Sequence, residues 1–140
     1  MTRPGKLRIC MLIARFHPIS GGTEIQAHRL ALRLLLLCEE VFIVTAKVNG
    51  LPKFEDAAGF KVYRTAAFGR GIISSFVFFI SSFIFLSRRR KSYDIIHVHL
   101  VSGHAFSAIL LKLFFGKKIL VKFGGARSTG DIGTSLSRPL

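Results

Sequence analysis

Two glycines, Gly21 and Gly22, stand side by side in HPISGGTE, residues 17 to 24, between an apolar run and a stretch with helical spacing. At a helix start, backbone N–H groups without partners and the helix dipole favour an anion. Missing Cβ atoms let a diphosphate come close. The same pair could instead serve a tight turn that needs positive φ. The surroundings narrow the anion chemistry. No Gly-Lys-Ser/Thr follows, so this is not a P-loop, and the G-x-G-x-x-G fingerprint of dinucleotide-binding folds is absent. The second apolar run ends VTAK, without the acid that would hold a ribose. Gly69-Arg70-Gly71 is a lone GxG in a loop and carries little weight.

His97 and His99 are two apart in a strand-like run, so they share a face. Two imidazoles without a nearby third ligand make a poor metal site, and no metal is expected. His97 reads as a packed, hydrogen-bonded core histidine. His99 differs, because it falls at the C-terminal edge of its strand, just before Ser102-Gly103 opens a helix. A polar ring there can bond a substrate hydroxyl or assist a proton transfer. Cys10 and Cys38 have neither CxxC spacing nor a partner cluster, and read as reduced, buried thiols of a cytoplasmic domain.

These residues need elements to position them. Residues 9–14 form a continuous apolar run, the mark of a strand buried on both faces. From Thr23 the period changes: Ala27, Leu30, Ala31, Leu34 and Leu35 line one face of a helix, with Gln26, Arg29 and Arg33 opposite. Residues 41–45 read as a second strand, NGLPKFEDAAG as a loop, and residues 60–65 as a third strand. YDIIHVHL is a further strand, SGHAFSAILLKLFFG a helix stopped by Gly116, and KKILVKF the last strand. Alternating strands and helices imply an α/β fold, a Rossmann-like parallel sheet flanked by helices with right-handed crossovers. Ligands bind such sheets at the C-terminal strand ends. Gly21 and Gly22, His99, and the Gly124, Gly125 and Arg127 loop all fall there, which favours phosphate proximity for the glycine pair.

The chain has 140 residues, half of them apolar, enough for one domain with a core. Its formal charge is +14, from 21 basic and 7 acidic residues. That favours anionic partners: nucleotides, nucleic acid or acidic headgroups. The opening MTRPGKLRICMLIA is basic and then apolar, but its apolar run is shorter than the ~7–15 residues of a signal-peptide core. The stretch 72–91, opened by Ile72 and closed by Lys91, has 16 uncharged residues before Arg88. At helical rise that is about 24 Å, short of the ~30 Å of a bilayer core. A core helix and an interfacial helix, with Arg88, Arg89, Arg90 and Lys91 on anionic headgroups, both remain open. Ser74, Ser75, Ser81 and Ser82 would give one side of it a mild polarity.

In order and spacing, RICMLIARFHPISGGTEIQAHRLALRL, FIVT, GFKVYR and YDIIHVHLVSGHAFSAILLKLFFGKKILVKFGG resemble the N-terminal half of the family-4 glycosyltransferases, across residues 7–131. The GGxE step (Gly21, Gly22, Glu24) and the D-x-x-H-x-H strand (Asp94, His97, His99) are the most specific parts. VKFGGARSTGD resembles the corresponding segment of one branch of the family. The stretch LLCEEV departs from it, since the family usually has Gly-His before the second strand. The resemblance implies a GT-B fold, two Rossmann-like domains across a cleft, of which residues 1–140 are part of the N-terminal, acceptor-side domain, with the C-terminal donor domain absent. It implies a retaining sugar transfer from a nucleotide-diphosphate sugar to a glycan, lipid or small-molecule acceptor, with no metal or other cofactor. It places Gly21 and Gly22 against the donor diphosphate and His99 at the reacting sugar. Arg127 and Asp131, in the loop after the last strand, are the candidates for acceptor contact. The chain alone is expected to be inactive and cytoplasmic, peripheral to an anionic membrane if the stretch from 72 to 91 is interfacial, with no nucleic-acid partner. The competing reading is a basic membrane-surface or nucleotide-binding Rossmann-like module without transferase activity.

Overall fold

The computed structural model describes residues 7–16, 18, 21–37, 40–57, 59–99 and 103–123. The elements run β1 (Arg8–Ile13), α1 (Gly22–Leu34), β2 (Glu40–Ala46), β3 (Phe54–Ala57), β4 (Phe60–Thr65), α2 (Ile72–Arg88), β5 (Ile95–His99), α3 (Ala105–Phe115) and β6 (Lys118–Lys122). They form one sheet in the order β3-β4-β2-β1-β5-β6. β3 pairs antiparallel with β4, and the other pairings are parallel.

The apolar run of β1 is explained by its central place. Alternate side chains feed two cores. Cys10 and Leu12 join Phe42, Val44, Ile96 and Val98 beneath α2 and α3. Ile9, Met11 and Ile13 join Val41, Ile43 and Val62 beneath α1. Leu12 is wholly buried, and Leu12→Ala would cost about 2–5 kcal/mol. Helix α1 meets the sheet through Ala27 and Ala31, with Leu30, Leu34 and Leu35 packed beside them, as the spacing predicts.

NGLPKFEDAAG is not all loop. Its FEDA segment forms β3, a four-residue edge strand whose Phe54 lies opposite Tyr63. Two adjacent acids and a short run conceal it from periodicity; pairing with β4, through a turn with Gly59 at φ 96, makes it a strand. The serines of α2 divide between inside and outside: Ser75 is exposed and Ser82 buried. Ser82 is buried against Ser107 of α3, and half-buried Ser81 donates to the carbonyl of Ala66. Phe78, Ser82 and Leu86 are the core side of α2, whereas Ile72, Phe76, Ile80 and Ile84 are exposed. No helix among the described residues is long and apolar enough to cross a membrane. Helix α3 stops at Gly116, φ 65, whose N–H donates to the carbonyl of Lys112.

Asp94 closes the opposite edge from the strand C-termini. Its carboxylate accepts from the Arg8 backbone at 2.9 Å and from the Arg8 guanidinium at 3.1 and 3.3 Å. Those bonds hold the carboxyl below its ordinary range. Of the D-x-x-H-x-H strand, then, Asp94 is a structural tie between β1 and β5. From β1 the chain moves outward to β2 on one side, and β5 lies on the other. This reversal is the topological switch point, where open α/β sheets bind ligands.

Candidate functional site

The site begins with two glycines that have no conformational need to be glycine. Gly21 caps α1 at φ −146 and ψ 170, extended backbone open to any residue. Gly22 is the first residue of the helix and is not at positive φ. The turn explanation therefore fails, and close approach remains. A Cβ on Gly22 would meet nothing within 4 Å, so this side of the helix start is open. A Cβ on Gly21 would fall 2.3 Å from Oε2 of Glu24, which curls back over the cap. The first helical bond runs from the N–H of Ile25 to the carbonyl of Gly21, at 3.0 Å. The N–H groups of Gly22, Thr23 and Glu24 precede that bond and have no partner in the helix. An acidic side chain thus rests at the positive end of α1, at the place an anion would take. An anion at that place would require Glu24 to rotate away.

His99 ends β5 and lies in register with Ile13 of β1 and Lys122 of β6. Its ring is 0% exposed, and neither ring nitrogen has a hydrogen-bond partner among the described residues. Burial, then the charges of His97 and Lys122, push its pKa down to about 4. At neutral pH the ring is uncharged and can donate one hydrogen bond and accept one. Two unpaired buried nitrogens are uncommon in folded proteins and mark a candidate functional group. His97 is also buried, and its ring centroid lies 4.2 Å from that of His99. Its pKa is likewise lowered by burial. Among the described residues no cluster of three or more metal-ligating side chains occurs.

Lys122 was not singled out by sequence. It ends β6, and its Nζ donates to Oε1 of Gln26 in α1 at 2.6 Å. The bond ties the last strand to the helix that Gly21 and Gly22 open, and brings a cation to the same end of the sheet. Only the register, which sets Lys122 opposite His99 at a strand C-terminus, distinguishes it from the chain's other lysines. The structure therefore brings together the α1 amides, neutral His99 and Lys122. Arg127, Asp131, Gly124 and Gly125 lie outside the described residues, as does Cys38. Cys10 is buried, and burial pushes its thiol far up, so it is an inert core residue. The lone GxG is a turn: Gly69 and Gly71 both have positive φ, 87 and 56.

No protein-family model matches the chain, and no curated protein sequence matches it. Solved structures do. The catalytic domain of starch synthase IV from Arabidopsis thaliana, bound to ADP and acarbose, superposes with a TM-score of 0.67 at 16% identity. The match covers 84% of this chain and 34% of that one. Sucrose-phosphate synthase from Thermosynechococcus elongatus matches with a TM-score of 0.59 at 16% identity, over 81% of this chain and 32% of that one. A second structure of that enzyme matches with a TM-score of 0.58, over 81% of this chain and 62% of that one. The chain thus spans about a third of the starch synthase domain. At this identity the likeness is one of fold: a mostly parallel six-stranded sheet flanked by helices, as in GT-B glycosyltransferase domains.

Proposed function

We propose that this chain is the acceptor-side, N-terminal part of a glycosyltransferase of the family-4 type, moving a sugar from a nucleotide-diphosphate sugar to an acceptor hydroxyl. The observation that carries the reading is the glycine pair. Gly21 and Gly22 open a helix at the switch point without needing positive φ, and Gly22 faces open space. The fold shared with glycosyltransferases supports it.

The acceptor hydroxyl attacks the anomeric carbon as the bond to the diphosphate breaks. Negative charge then grows on the leaving group. Amides of Gly22 and Thr23 and the ammonium of Lys122 offset it, an electrostatic contribution worth roughly 3–4 kcal/mol per well-aimed donor. Glu24 swings off the cap to admit the phosphate. Neutral His99 hydrogen-bonds the transferred sugar or the acceptor near the reacting centre. Retention of configuration and independence from metal belong to the same reading, carried by the resemblance. Arg127 and Asp131 remain the proposed acceptor contacts.

Only one wall of the site is built from these residues; a facing donor domain supplies the other. The purified 140-residue chain is expected to turn over no sugar nucleotide, and a form carrying the facing domain to transfer and to lose transfer in Gly22→Val. Turnover by the 140 residues alone would contradict the proposal.

A second reading, contact with an anionic membrane through the stretch between Ile72 and Lys91, is favoured by one observation. The outer side of α2 is apolar and exposed, and Arg88, Arg89, Arg90 and Lys91 at its end are exposed as well.

A further inference from the structure

Helices of a water-soluble sheet protein turn polar residues outward. Helices α2 and α3 bury apolar residues and turn large apolar residues outward as well. Where they meet, aromatic and small polar groups are mixed: the rings of Phe83 and Phe114 lie 6.4 Å apart, Ser82 Oγ lies 3.3 Å from Ser107 Oγ, and a Cβ on Gly103 would sit 3.6 Å from the Cβ of Ser75. Ser107 in turn donates to the carbonyl of His104 at 2.6 Å. Ser82 and Ser107 are wholly buried. The outward residues are large and apolar. On α2, Phe76, Ile80 and Ile84 follow one another at four-residue steps, beyond Ile72, which is 88% exposed. On α3, Phe106, Ile109 and Leu113 form the matching stripe, and Leu113 is 73% exposed. An outer face of aliphatic and aromatic side chains on two adjacent helices is suited to a lipid boundary.

The stripes are continuous. An apolar hollow of about 470 Å³ lies between them, walled by Ile72, Phe76, Phe106 and Ile109. The charge around them is of one sign. From Ile72 to Lys118 the sequence holds one acid, Asp94, and Arg8 engages it. Arg88, Arg90, Lys91, Lys112 and Lys118 are exposed at or near the C-terminal ends of the two helices. Arg90 is stacked over the ring of Phe115 at 5.4 Å, its guanidinium carried on an apolar support.

We infer that the joint outer face of α2 and α3 is a docking platform for an anionic lipid surface, with α3 contributing as much as α2. Apolar side chains enter the acyl boundary while the cations at the helix ends meet lipid phosphates. Neither helix spans the bilayer; both lie along it. The charge selects this occupant. A second copy would bring another +14 chain against the first, whereas an anionic surface neutralises it. The platform deepens the membrane contact of the second reading and does not depend on the transferase reading. Gly22 and His99 lie on the other face of the sheet, the side covered by α1, so docking leaves them facing away from the surface.

The test is co-sedimentation of the 140-residue chain with vesicles of phosphatidylcholine alone or with 30% phosphatidylglycerol (about, by mole). Melting curves of each variant establish that it folds, and light scattering gives its oligomeric state. Binding is expected to the anionic vesicles, to fall as salt rises, and to weaken at least about tenfold in Phe76→Ser/Ile80→Ser and equally in Ile109→Ser/Leu113→Ser. If the α3 variant binds like the parent while the α2 variant does not, the platform is overturned and a single interfacial helix remains. No vesicle binding by a monomer overturns it in favour of cover from elsewhere in a longer chain. Dimerisation abolished by Leu113→Ser, without vesicle binding, overturns it in favour of a second copy.

Discussion

Gly69 and Gly71, ahead of α2, sit at φ 87 and 56, and a Cβ on Gly69 would fall 2.8 Å from Cγ2 of Ile73. Gly21 and Gly22, ahead of α1, sit at ordinary angles, and Gly22 has nothing near it. Both pairs introduce a helix at the same edge of the sheet. One is glycine because the backbone requires it. The other is glycine where the fold would accept a side chain. A residue kept small against empty space is a different signal from one kept small by its own dihedral angles, and only the former points outward to a ligand.

The largest effect expected from this contrast is functional. In a form of the protein carrying the facing domain, Gly22→Val should lower transfer about 10²–10³-fold while the melting temperature stays within a degree or so of the parent. A parallel loss of stability would break the comparison. Acid is the next lever, because the α1 end holds buried histidines. The folded-state pKa of His99 is lowered to about 4 against about 6.5 when unfolded. Its contribution is therefore complete above pH 6.5 and lost as pH falls toward 4, on the order of 3 kcal/mol. His97 acts in the same direction. Urea titrations across that window should show the decline, and His99→Gln should flatten it. A third measure compares the pairs directly. Gly69→Ala should destabilise by about 1–2 kcal/mol, from positive φ and the Ile73 contact. Gly22→Ala should leave stability unchanged or raise it by about 0.5 kcal/mol. Equal signs in the two thermal melts would remove the distinction. The smallest effect is at Lys122, where Lys122→Met should weaken nucleotide binding severalfold and reduce its dependence on salt.

Much of this was legible before the fold was known. The apolar run of β1, the stripe of α1 and the stop at Gly116 each announce themselves through period or a special dihedral. β3 did not, because a four-residue edge strand with two acids owes its existence to β4. The direction of the α2 serines was also hidden. Their spacing defines a side of the helix, but whether that side faces solvent depends on α3 lying against it. At the site, Gly21, Gly22 and His99 were readable from their positions after strands. Lys122 was not, since a lysine in a basic chain has no distinction until register sets it beside His99 and its bond reaches Gln26. The burial of the His99 ring was likewise beyond the pattern, which placed the residue at a strand edge without its cover.

The central claim is that the start of α1 is half of a diphosphate site. The direct measurement is an amide nitrogen–proton NMR titration of the chain with ADP, beside the same titration of Gly22→Val. The account predicts saturable shifts at the amides of Gly22, Thr23 and Glu24, in the millimolar range expected of a half-site, and their disappearance in the variant. Shifts that spare α1, or that persist unchanged in Gly22→Val, would contradict it.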